Sequence, residues 1–214
     1  MDLSSVYFRF ELQLHRAEKH FREVLLSIDR NDKFKRQYLL EGILSSVWQS
    51  YCTFVRQVTI YSSLGCKTAG GVNHPPSVVP AIWQRASYIA MRTSKGASVV
   101  PAALNGQLIK EPTWGDSSKI LDIINALSPG NGGTLKSHLA GGLTGPKHCQ
   151  QVRNACAHNN HQTKAELKTL APFYIASAVV HPTDVMTWRN PQNQEFAFLS
   201  WTDDMKIIAQ GAVL

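Results

Sequence analysis

The fold class this sequence predicts is mainly α: an up-and-down antiparallel helical bundle whose first two helices are long. Three observations carry that expectation. Apolar residues recur at alternating spacings of three and four near the N-terminus; the same rhythm returns after residue 116; and most glycines and prolines fall between these runs rather than inside them. An irregular insertion over 64–116 and a small C-terminal β-hairpin complete the expected architecture.

The first run places Tyr7, Phe10, Leu14, Ala17, Phe21, Val24 and Ile28 on one stripe, with charged residues between them. Ser4 or Ser5 is the expected cap of this helix, and the "DRND" stretch at 29–32 ends it and offers Asn31 or Asp32 as the next cap. Leu40, Leu44, Val47, Tyr51, Phe54, Val58 and Tyr61 repeat the pattern in a second long helix. The short join between the two predicts antiparallel neighbours.

From Gly65 to Pro80 the sequence reads as a loop, followed by a shorter helix over about 81–92. Asn105-Gly106 carries the signal of a tight hairpin. "DSSKILDIINALS" restores a helix after an Asp or Ser cap, and the glycine-rich stretch from Gly130 to Gly145 lacks the spacing of a phosphate-cradling loop. Thr144 and Pro146 then open a helix running to about Ala157, and Thr163 with Glu166 has the spacing of a capping box for the next. Pro172 kinks or divides that helix, and the alternation in 185–201 reads as the appended hairpin. The whole is expected to be a single domain, 1–214, with a C-terminal extension over 181–214.

Composition limits the function classes. Hydrophobic residues at 43% and charged residues at 17% describe a folded chain, not a disordered one. A formal charge of +7 favours polyanionic partners without requiring one. No apolar run reaches the ~20 residues a spanning helix needs, so no membrane association is expected. Cys52, Cys66, Cys149 and Cys156 form no CxxC pair, and the N-terminus has no basic-then-apolar leader, which together point to a reducing cytoplasm.

The chemistry concentrates in "QVRNACAHNNHQ", 151–162. RNA cleavage without a metal needs a base for the 2′-hydroxyl proton, an acid for the leaving oxygen, and positive charge beside the phosphate. Histidine as a residue type can take or give a proton, so His158 can serve either proton role, and Arg153 presents a charged fork that matches phosphate oxygens. Five residues on a continuous helix separate two side chains by about 140° around the axis and about 7.5 Å along it, so convergence calls for a helix that ends at His158. One pair also supplies a single titrating group, and a two-fold homodimer would double it.

At these residues the sequence resembles the HEPN superfamily, all-helical proteins of prokaryotic toxin–antitoxin and antiviral defence systems. Its hallmark is Arg, four to six residues, then His, often with a polar residue after the Arg; "RNACAH" matches with Arg153, Asn154 and His158. The order of elements is similar over about 1–63 and 117–180, while 64–116 and the tail depart from it. The resemblance implies a metal-independent endoribonuclease, a toxin or defence effector, with a composite site at a homodimer interface. Arg153 and His158 would be catalytic and Asn154 supporting, with Asn159, His161 and Lys147 as neighbouring substrate-binding residues. No cofactor and no metal are expected. Partners would be transfer or messenger RNA and a regulatory protein or antitoxin.

Other readings compete. Arg153 can snorkel from an exposed face while His158 complements the helix dipole. His148, Cys149, Cys156, His158 and His161 gather metal-ligating side chains, though without a recognisable zinc spacing. Arg16, Lys19, Arg22, Lys33, Lys35 and Arg36 can rim an RNA surface or form an ordinary solvated face with Glu18 and Glu23. The alternative function is a catalytically inert module of the same fold that binds a protein or RNA.

Overall fold

The computed structural model describes residues 1–28, 32–158 and 160–214. The chain is mainly helical, as expected: α1 (Leu3–Ser27), α2 (Lys33–Leu64), α3 (Trp83–Thr93), α4 (Ser117–Leu127), α5 (Gly132–Leu139), α6 (Gly145–His158), α7 (His161–Lys168) and α8 (Ala197–Ala212). A two-stranded antiparallel ribbon, β1 (Cys66–Lys67) with β2 (Asn73–His74), is in register Cys66 to His74. The residues fall into two compact units: Met1–Phe10 with Cys52–Gly142 and Ile207–Leu214, and Glu11–Tyr51 with Leu143–Lys206.

The caps of the first two helices come from aspartates. Asp2, not Ser4 or Ser5, accepts the Ser4 N–H at 2.9 Å and starts α1. Asp32 accepts from Lys35 N–H at 3.2 Å at the start of α2, while Asn31 lies outside the described residues. In both cases a carboxylate near the first turn also interacts favourably with the helix dipole.

In the first unit, the N-terminal amine bonds the Gly65 carbonyl at 3.1 Å and Phe10 stacks on Phe54 with centroids 4.9 Å apart. The start of α1 therefore runs antiparallel to the end of α2. The segment over 64–116 is tied to α2 by one carboxylate: Glu111 accepts Arg56 Nε at 2.6 Å and Nη2 at 2.9 Å, Ser87 Oγ at 2.6 Å and Trp114 Nε1 at 2.9 Å. Burial alone would raise its pKa, but these donors hold it below the ordinary carboxylate value.

Asn105-Gly106 does not form the expected hairpin; a 3-10 turn at Leu108–Lys110 follows instead. Gly106 serves close packing, since a Cβ there would collide with the Gln84 carbonyl and lie 2.9 Å from Ser87 Cβ. The glycine-rich stretch, for which no element is predicted, contains α5. The cap of α4 is Asp116, which accepts from Ser118 and Lys119 N–H as its sequence signature predicts.

In the second unit, Phe21 of α1 packs on Phe198 of α8 at 4.6 Å and Lys206 bonds Glu18 at 2.6 Å. Phe198 and Trp201 are buried, so α8 belongs to the core here and is not an appended strand. The expected hairpin over 185–201 reduces to one bridge, Arg189 to Phe196, between a 3-10 helix at Pro182–Thr187 and α8. Pro172 does divide the preceding helix: α7 stops at Lys168 and a separate 3-10 turn covers Ala171–Phe173.

Candidate functional site

The motif helix α6 is seated by its neighbours before it presents anything. Thr144 holds the cap position, its carbonyl accepting His148 N–H at 3.0 Å, but the carboxylate at this helix start comes from Asp204 of α8, which accepts Gly145 N–H at 2.8 Å. Burial raises the Asp204 carboxyl above its usual range, and its bond from Gly145 pulls the other way. A Cβ on Gly145 would sit 2.7 Å from Asp204 Cβ and 2.8 Å from Trp201 Cα, so only glycine allows this approach.

One turn on, His148 is 3% exposed and shares a face with the buried Val152 and Ala155. Its Nδ1 lies 2.7 Å from the Tyr174 hydroxyl, which accepts Trp201 Nε1–H at 2.7 Å. Because the indole can only donate, the Tyr174 proton is free to point at His148 Nδ1, which fixes a neutral imidazole carrying its proton on Nε2. Burial, followed by the charge of Lys147, lowers the His148 pKa to about 4. Burial likewise pushes Tyr174 up to about 12. This histidine is a structural anchor. Among the described residues no three His, Cys, Asp or Glu side chains cluster as a metal site.

The motif occupies the opposite end. Arg153 is half-buried and its Nη1 donates to Asn154 Oδ1 at 3.4 Å; His158 is exposed in the last turn. α6 ends at His158, as expected, but His158 is still part of its last helical turn, so helical geometry sets Arg153 and His158 about 140° apart and one copy does not place both on a single helix face. Cys156 lies between them in sequence. Its thiol is raised to about 12 by burial and by the charge of Glu41, against the opposing effect of Arg153.

The remaining expected residues divide. Lys147 is exposed in the first turn, about 16 Å along the axis from His158, and is not brought to it. Asn159 lies outside the described residues. His161 opens α7, three residues beyond His158, and lines a cavity of about 590 Å³ with Lys164, Lys168 and Trp188. The capping box sits three residues upstream of the sequence-based placement: Asn160 Oδ1 accepts Thr163 N–H at 2.9 Å, and Thr163 Oγ1 accepts Asn160 N–H at 3.2 Å.

The sequence reading missed Asp204, Lys164 and Lys168. His161, Lys164 and Lys168 are spaced i, i+3, i+7, the signature of one helix face, so the two lysines were discoverable. Asp204 was not, because its partner is 59 residues away. The basic residues of the first two helices also separate. Lys19 pairs with Glu23 at 3.8 Å and Arg22 with Glu195 at 3.9 Å, an ordinary solvated face, whereas Lys33 and Arg36 make no ion pair among the described residues. No protein-family model, curated protein or solved structure matches this chain. Among the described residues no helix is long and apolar enough to cross a membrane.

Proposed function

We propose that the protein is a HEPN-like, metal-independent endoribonuclease acting as a toxin or defence effector in the cytoplasm. The observation that carries this reading is the arrangement of Arg153, Asn154 and His158: a guanidinium steadied by an amide, and an exposed imidazole on the last turn of a helix anchored at its other end by Asp204 and His148. In the reaction, His158 takes the proton of the 2′-hydroxyl, O2′ attacks phosphorus, and the P–O5′ bond breaks. The products are a 2′,3′-cyclic phosphate and a 5′-hydroxyl, whose proton comes from water as His158 returns its own to solvent. Arg153 neutralises the pentacovalent phosphorane.

The divergence of Arg153 and His158 on one helix supports a site composed from two copies, in which the arginine of one faces the histidine of the other. The same divergence favours a second reading, an inert module that binds RNA or protein. Incubation with total RNA in EDTA separates them. Cleavage lost in Arg153→Ala and His158→Ala, with both variants folded, supports the enzyme; equal cleavage by wild type and variants would contradict it.

A further inference from the structure

Three solvent-open cavities in the second unit share walls. The cavity beside His161 (about 590 Å³) and one of about 230 Å³ are both lined by Val180; the latter and a third, of about 520 Å³, are both lined by Arg36 and Thr187. Shared lining makes them one groove. Its cations are Lys164 and Lys168 in the first stretch, Lys33 and Arg36 in the middle and Arg189 at the far end.

Nearby carboxylates are already engaged. Asp184 Oδ2 accepts Val180 N–H at 2.9 Å and His181 N–H at 2.8 Å, Glu41 faces His181 at 3.1 Å, and Glu195 faces Arg22 at 3.9 Å. Lys33, Arg36, Lys164 and Lys168 have no ion-pair partner among the described residues. The groove therefore carries five cations against one lining carboxylate, Asp184, and has apolar walls that include Val179, Val180 and Leu25. Arg189 stacks 3.7 Å over the Phe196 ring, which holds its guanidinium plane in a fixed orientation.

We infer that this groove binds a single-stranded RNA segment, with phosphates tracking the cations and bases against the apolar walls, and delivers the strand past His161 towards His158. The inference rests on the ribonuclease reading for its occupant. Charge complementarity selects a polyanion, and apolar surface along the whole path selects one whose bases are unpaired. A duplex would hide its bases and present only phosphates.

The test measures binding apart from cleavage. In the His158→Ala background, anisotropy of a fluorescein-labelled oligouridylate of about twelve nucleotides is titrated at several salt concentrations. Lys164→Gln/Lys168→Gln and Lys33→Gln/Arg36→Gln, at exposed or half-exposed positions, should each weaken binding about tenfold at low salt. Each should also flatten the log–log salt slope by about 1.4, roughly 0.7 for each phosphate contact removed. If either pair binds like its parent, the continuous groove is wrong. Equal affinity for an RNA duplex would overturn the single-strand assignment, and equal affinity for polyglutamate would overturn RNA as the occupant. Because binding is read without catalysis, an oligonucleotide that binds through both pairs while the wild type cuts nothing sinks the enzyme and leaves the groove standing. Cleavage with no groove dependence does the reverse.

Discussion

Acid should weaken this fold through His148 before it protonates most carboxylates. The imidazole is buried and neutral, accepting from Tyr174, and its pKa is lowered from 6.5 to about 4. In the unfolded chain it protonates near 6.5, so between about pH 6.5 and 4 the unfolded state binds the extra proton. The stability tied to neutral His148 is thus complete above about 6.5 and is lost as pH falls to about 4. The drop in pKa corresponds to about 3 kcal/mol at 1.36 kcal/mol per decade. The assay is urea unfolding of wild type and His148→Gln, whose amide oxygen can still accept from Tyr174 but does not titrate. Carboxylates common to both cancel in the difference. The wild-type advantage should shrink by about 3 kcal/mol between about pH 7.5 and 4. A difference constant within about 0.5 kcal/mol over that range would refute the buried, neutral assignment.

Two further outcomes follow from packing. Glu111→Ala leaves Arg56, Ser87 and Trp114 without their shared acceptor and should cost about 3 kcal/mol in urea unfolding; a loss under about 1 kcal/mol would show that the tie of 64–116 to α2 is unimportant. Gly145→Ala forces a methyl to within 2.8 Å of the α8 backbone at Trp201 and should cost about 2 kcal/mol, whereas an unchanged thermal midpoint would mean that α6 and α8 are not held this closely.

What was legible in the sequence was periodic. Leu14, Phe21, Leu44 and Val58 are buried where three-four spacing puts them, and Pro172 ends a helix because it lacks an N–H. What was not legible depended on distant partners or on short windows. Gly132 and Gly133 at the start of α5 obscured a helix whose buried Leu135 and Leu139 keep helical spacing. "EFAFLSW" alternates like a strand, yet Trp201, Met205, Ile208 and Ala212 continue it at helical intervals, which a longer window shows. In the motif, the residue types were visible and their directions were not: the persistence of α6 through His158 sets them apart and turns the search for a site towards a second copy.

The composite site is tested most directly by mixing subunits. Arg153→Ala and His158→Ala proteins are each assayed on RNA in EDTA, then unfolded together, refolded and assayed again. If each catalytic unit takes its arginine from one copy and its histidine from the other, both homodimers are silent. The mixture then regains up to about a quarter of wild-type activity, since about half the dimers are hybrids and each carries one intact pairing. A mixture as silent as its parents, when hybrids are shown to form and wild type cuts, would contradict the shared site; a wild type that cuts nothing would contradict the enzyme itself.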